Sequence, residues 1–231
     1  MYDSTQDQSL LDRARAWGEF LLENRESVGG FKVWNTEQGQ QPLTGFSHGI
    51  SGIAYALSRL YSYTASEQFR DAAVEGFNYE DSAYLPAKSN WRDFRDHTST
   101  CMDAWCHGRS GIVLARLDAL KQLGSDDDLR LPVQDIESLV TNNADQLCCG
   151  NAGRADVLIK AAQLEEPILA DRAEDMLEAL VVRRQKEGCL SFPTHTPRIY
   201  NPTLFQGSSG VGYVILRLLS PSTVPCVLLG E

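Results

Sequence analysis

Three cysteines and two histidines occupy equivalent places in a repeated stretch of this sequence. The dipeptides Ser47-His48, Cys106-His107, Cys148-Cys149 and Phe205-Gln206 each stand directly before a G-x-x-G pair: Gly49/Gly52, Gly108/Gly111, Gly150/Gly153 and Gly207/Gly210. Each pair opens an apolar run of helical period: GFSHGISGIAYALSRLY (45–61), WCHGRSGIVLARLDAL (105–120), LCCGNAGRADVLIKAA (147–162) and LFQGSSGVGYVILRLL (204–219). One G-x-x-G says little, but four at the head of the same kind of run define a repeat. The repeat places the four dipeptides at one end of the structure, at helix N-termini where the dipole and free N–H groups favour thiolates. Cys106, Cys148 and Cys149 would then converge. Three thiolates with a fourth position open form the ligand pattern of catalytic rather than structural Zn²⁺. The spacing contains no C-x-x-C pair, so it is not a zinc-finger pattern, and a metal-free cluster of buried thiols is the alternative. A vicinal Cys148–Cys149 disulfide would be strained.

The ligand type limits the reaction. Three thiolates on Zn²⁺ leave a net charge of −1, which blunts Lewis acidity and favours activation of a bound sulfur over generation of hydroxide. No H-E-x-x-H occurs, which argues against a zinc peptidase. A substrate thiol entering the open position would lose its proton and stay nucleophilic. Thiolate transfer also needs a proton carrier, and His48 holds the corresponding place in the first repeat. Cys101, Cys189 and Cys226 lie outside the shared position and read as ordinary small hydrophobes. His97 and His195 fall in loops and read as surface residues, His195 in SFPTHTP being the nearer to a site role.

The elements that must position these residues follow from periodicity. Helical patterns cover 8–26 (Leu10, Leu11, Ala14, Trp17, Leu21 and Leu22 on one face), 65–76, 131–146 and 168–187, alternating with the four Gly-led runs. Strand alternation is scarce. The chain therefore reads as all-α: helix, loop, Gly-led helix, four times over. Long connections at 27–44, 77–104 and 188–204 hold most of the Pro, Asn, Asp and aromatic residues, as functional loops do. With the Gly-led helices as an inner ring, their N-terminal ends crowd together and small residues are needed there. Otherwise the glycines would only mark turns.

Composition bounds the function. The 231 residues carry 31 acidic against 21 basic side chains, a net charge of −10, with 42% hydrophobic residues. This is the composition of a soluble globular protein. No basic stripe exists to neutralise phosphates, so nucleic acid is not an expected partner. The N-terminus has no export signal, and no apolar run approaches the roughly 20 residues needed to span a bilayer, so a cytoplasmic location is expected. Six cysteines in a reducing compartment then read as thiols or metal ligands.

The boxes GFSHGISGIAYAL, WCHGRSG and LCCGNAG and the closing FQGSSGVGYVILRLLSPSTVPCVLLGE resemble the cyclase domain of lanthionine synthetases. The likeness is greatest to the C-terminal half of the bifunctional class II lanthipeptide synthetases, over roughly residues 8–231. The resemblance implies an α/α toroid of nested helical hairpins around a central zinc. Cys106, Cys148 and Cys149 would be the zinc ligands. C-C-G stands where the commoner family pattern is C-H-G, a three-cysteine variant associated with a more reactive thiolate and broad substrate tolerance. His48 would be the acid/base and His107 a second proton donor. The implied reaction adds a cysteine thiolate of a dehydrated, leader-bearing precursor peptide to dehydroalanine or dehydrobutyrine, giving (methyl)lanthionine rings. A complete domain of this kind has about seven hairpins, and this chain supplies about four. The family's upstream acidic residue and the dehydratase region are also absent. Residues 1–231 thus read as a partial cyclase domain. It is either a fragment or a chain working beside a partner that completes the ring, such as the missing N-terminal part of the synthetase. Two other readings stand beside it: a catalytically silent zinc- or peptide-binding remnant, and a metal-free toroid glycosidase, for which no carboxylate pair is evident.

Overall fold

The computed structural model describes residues 2–37, 41–95, 100–124, 133–164, 167–192 and 200–231. The helices are α1 (Tyr2–Thr5), α2 (Gln8–Glu23), α3 (Ile50–Thr64), α4 (Glu67–Ser82), α5 (Arg109–Leu123), α6 (Val133–Glu137), α7 (Asn151–Leu164), α8 (Leu169–Glu187) and α9 (Ser208–Leu219). The four Gly-led runs are α3, α5, α7 and α9. Each packs on the next, while α4 packs on α3, α8 on α7, and α2 on both α3 and α4. Helices α5 and α7 are buried around most of their circumference, whereas α2 and α8 keep a solvated face. The inner and outer layers expected from the repeat are therefore present.

Helix α5 joins two cores. Ile112, Val113, Leu114 and Leu117 pack with α7 and α8 residues such as Leu158 and Leu177. Ala115, Ala119 and Leu123 pack with Leu57, Phe69 and Phe77 of α3 and α4. A helix enclosed on both sides must bury its polar residues as well, and these are paired, as buried charges must be. Arg116 meets Asp81 at 3.0 Å, and Asp118 meets Arg59 at 3.7 Å.

The glycines have one physical explanation that repeats four times. A Cβ at Gly52, Gly111, Gly153 or Gly210 would overlap the carbonyl oxygen of Phe46, Trp105, Leu147 or Leu204, in each case six residues upstream. The first glycine of each pair is blocked in the same way, by Leu43, Met102, Ala144 and Asn201. Each loop folds back over its helix entrance and closes with a hydrogen bond. The amides of Ile50, Arg109, Asn151 and Ser208 donate to those same four carbonyls at 2.8–3.2 Å. Gly153→Ala should therefore destabilise the chain by about 1–3 kcal/mol, as overpacking against backbone does. Gly212→Ala, in open space on α9, should instead be neutral or add up to about 1 kcal/mol. Thermal denaturation of the two variants checks the contrast, and equal midpoints would refute it.

Several connections carry more structure than their composition suggests. The 27–44 stretch includes part of a hairpin, β1 (Glu26–Val28) paired antiparallel with β2 (Phe31–Val33), turning through Gly29 and Gly30 at positive φ. The helix expected at 65–76 continues to Ser82, because Phe77, Tyr79 and Glu80 are all buried. After it come β3 (Tyr84–Leu85) and β4 (Asn90–Trp91). The helix expected at 131–146 is reduced to α6. Asn142 and Asn151 then bond each other through side chain and backbone, and Val140 is 68% exposed. Trp17, expected on the apolar face of α2, is 65% exposed. The final segment folds inward, so that the Tyr55 hydroxyl of α3 donates to the Leu229 carbonyl at 2.9 Å. Among the described residues, no helix is long and apolar enough to cross a membrane.

Candidate functional site

The four loops that precede α3, α5, α7 and α9 form one continuous rim. The Trp105 amide donates to the Cys148 carbonyl (3.1 Å), and the Cys148 amide donates to the Phe205 carbonyl (3.0 Å). These bonds pin the second, third and fourth repeats side by side at the dipeptides singled out above. The first loop joins at Gly45, whose φ of +109° suits glycine; a Cβ there would lie 2.7 Å from the Cys106 carbonyl oxygen and 2.8 Å from the His107 Cα.

This rim brings the sulfurs of Cys106, Cys148 and Cys149 within 4.8 Å of one another, with Cys106 and Cys149 3.7 Å apart. Cys106 is buried and the other two partly so. Hydrogen bonds from the Cys106 and Cys148 thiols, helped by the Gln206 side chain, pull the Cys149 thiol down to about 3. Cys148 is pushed up by its interactions with Cys106 and then Cys149. Cys149 is thus the sulfur of the three whose thiolate its surroundings favour. Three sulfurs so arranged could hold a metal ion.

His48 and His107 also come together. Their rings stack 4.5 Å apart and 3° from parallel. His48 is exposed. His107 is buried, and its Nδ1 has no hydrogen-bond partner among the described residues. Burial, followed by the charge of Arg95 and then that of His48, pushes His107 down to about 4. The sequence reading did not find Arg95 or Asp93. Arg95 grips Asp93 through two bonds of 2.6 and 3.0 Å, and its charge reaches Cys106 and Cys149. Both lie in a loop without a counterpart in the other repeats, so no periodic signal marked them. Gln206 did have such a signal, since it fills the place of His48, His107 and Cys149 in the fourth repeat.

Aromatic rings line the rim beside the sulfurs. Trp105 stacks on Phe205 at 5.4 Å and 17°, and Phe46 lies 5.4 Å from Trp105. A cavity of about 720 Å³ opens next to His48, walled by Leu21, Phe46, Gly52, Ile53 and Trp105. The remaining cysteines stay out of the cluster. Cys226 is buried and donates to Asp156 at 3.4 Å, Cys101 is half-buried, and Cys189 is exposed rather than packed as a hydrophobe. His97 and His195 lie outside the described residues.

Comparison with known proteins gives the family and the fold. Residues 1–229 match the family model described as Lanthionine synthetase C-like protein. The Lacticin 481/lactococcin biosynthesis protein LcnDR2 of Lactococcus lactis subsp. lactis is 34% identical over 79 residues, which is 34% of this chain and 8% of that protein. Glutathione S-transferase LANCL1 of Danio rerio is 23% identical over 233 residues, covering 95% of this chain and 54% of that protein. Among solved structures, Nisin cyclase superposes with a TM-score of 0.75 at 17% identity, covering 96% of this chain and 62% of that one. The fold is accordingly that of the α/α toroid, and this chain spans under two thirds of each of these relatives. The chain belongs to the lanthionine synthetase C-like family.

Proposed function

We propose that this chain closes thioether rings in a dehydrated precursor peptide, using Zn²⁺ held by Cys106, Cys148 and Cys149. The observation that carries this reading is the convergence of those three sulfurs beside the His48–His107 stack. The donor set fits the metal. Sulfurs 2.3 Å from a tetrahedral zinc stand about 3.8 Å apart, and Cys106 and Cys149 are separated by 3.7 Å. The Gln206 side chain, which helps to lower the Cys149 thiol, is the kind of outer partner that orients a ligand. When bound, the metal supplies stabilisation of a substrate thiol in its thiolate form.

The chain's own residues would do the rest. The apolar wall of Phe46, Trp105 and Ile53 would seat the dehydrated side chain beside His48. The peptide's thiolate forms a C–S bond at Cβ, and the alkene π pair moves toward the carbonyl as an enolate. His48, carrying a proton, delivers it to Cα and is recharged by the proton that the next substrate thiol releases, so no mass is gained or lost. His107 limits the freedom of the His48 ring by stacking on it.

Incubation of the zinc-loaded chain with a dehydrated, cysteine-containing peptide tests the proposal: alkylatable thiol should disappear at unchanged peptide mass. Persistent thiol with bound zinc would replace this reading with that of a silent binding remnant. His48→Ala should keep the metal and slow ring closure by about 10²–10⁴-fold, the usual contribution of a positioned acid or base. Wild-type rates in that variant would remove His48 from the mechanism.

A further inference from the structure

The Glu80 carboxylate is wholly buried near the end of α4, and nothing above gives it a role. One oxygen accepts the Gly45 amide at 3.0 Å and the other accepts the Ser51 hydroxyl at 2.5 Å. Those two donors bracket Phe46-Ser47-His48-Gly49. Behind Glu80, Arg116 approaches to 3.6 Å. That guanidinium is itself fixed. It donates to the Phe77 carbonyl (2.9 Å), pairs with Asp81 (3.0 Å), and lies over the rings of Phe77 and Trp91 at 5.1 and 5.4 Å. Two neighbouring bonds hold the same strip of backbone: the Tyr79 hydroxyl to the Pro42 carbonyl (2.9 Å) and the Thr44 hydroxyl to the Arg92 carbonyl (2.8 Å).

The strip matters because of what Gly45 touches. Its Cα faces the Cys106 carbonyl and the His107 Cα closely enough to exclude any Cβ. The seat of Gly45 therefore sets how far the His48 loop stands from the loop carrying a sulfur ligand and His107. We infer that Glu80 is a positioning residue of the site, clamping residues 45–51 from beneath so that His48 stays stacked on His107 beside the sulfurs. Glutamate is suited to this because a carboxylate accepts two bonds at once, and a charged acceptor makes each of them stronger than a neutral one would. The inference rests on the role proposed for His48. It differs from a packing role in expecting damage confined to one loop.

The test uses the zinc-loaded full chain and two variants, Glu80→Gln and Ser51→Ala. Ser51→Ala removes one donor, leaves the ion pair intact, and serves if Glu80→Gln does not fold. Amide exchange across residues 43–50 should speed by about tenfold or more in each, as expected for loss of a hydrogen bond to a charged acceptor. Exchange across 104–108 and 146–150, and zinc per chain, should not change. For the dehydrated peptide, kcat should fall about 10–100-fold, the effect of misplacing a reacting group by up to an ångström, while KM holds within about twofold. Unchanged exchange and kcat in both variants would overturn the inference. So would zinc loss in step with kcat, since Glu80 would then serve the fold as a whole. If the wild-type chain leaves the peptide thiol untouched, the cyclase reading fails, and the exchange arm still decides whether the clamp exists.

Discussion

Cys149→Ala should leave the chain folded but without bound metal and without ring-closing activity. Cys149 lies 3.7 Å from Cys106 and completes the set of three sulfurs within 4.8 Å of one another. Removing it leaves Cys106 and Cys148, a two-ligand set on which tetrahedral zinc has no hold comparable to three thiolates. Affinity should fall by well over the 10–100-fold typical of losing only an outer hydrogen-bond partner. The fold should survive because Cys149 is partly solvated and its backbone neighbours carry the rim, with the Cys148 amide on Phe205 and the Cys148 carbonyl on Trp105. Elemental analysis after dialysis, paired with the thiol-alkylation assay, reads both effects. Cys226→Ala is the control. It removes a thiol bonded to Asp156, away from the cluster, and zinc content should not move. A Cys149→Ala chain with one zinc and wild-type turnover would end the three-cysteine assignment.

The largest stability effect is expected at Asp156. Its carboxylate pairs with Arg217 at 2.7 Å, and the two side chains are 0% and 1% exposed. Asp156→Ala strands the guanidinium in a buried setting, which costs about 3–5 kcal/mol. Gln163, which accepts a second bond from Arg217 at 3.1 Å, cannot replace a charge. The same carboxylate receives the Cys226 thiol, and Glu231 in turn binds Lys160 of α7 at 2.5 Å, so the final segment should loosen as well. The double replacement Asp156→Leu with Arg217→Met should recover most of the loss, since breaking a buried pair is worse than dispensing with it. Denaturant midpoints compare the variants. A loss below about 1 kcal/mol in Asp156→Ala would mean that water reaches the orphaned cation.

What the sequence made legible was whatever repeats. Gly49, Gly108, Gly150 and Gly207 marked four helix entrances, and the dipeptides before them marked the site, because a common loop geometry forces common small residues. Interactions between unlike elements were hidden. Glu80, Arg116, Asp156 and Arg217 look like solvated charges in a helical pattern, and only tertiary pairing makes their burial possible. The Pro, Asn, Asp and aromatic content of 77–104 reads as a connection, which is why α4 seemed to end early. Arg95, held by Asp93, brings its charge to the sulfurs from a loop with no periodic partner. Trp17 shows the opposite failure: its spacing fits an apolar face, yet it meets the ring of Phe20, itself exposed, and stays largely in solvent.

The Tyr55–Leu229 hydrogen bond joins residues 174 positions apart in the chain. Stacked repeats that touch only their neighbours can melt from the ends inward, each unit at its own free energy. A contact between the first Gly-led helix and the last segment removes that freedom, because neither end can open without giving up the other. The chain should thus lose its structure in a single concerted transition. Its formation should also be slow, since the clasp joins segments far apart in the chain.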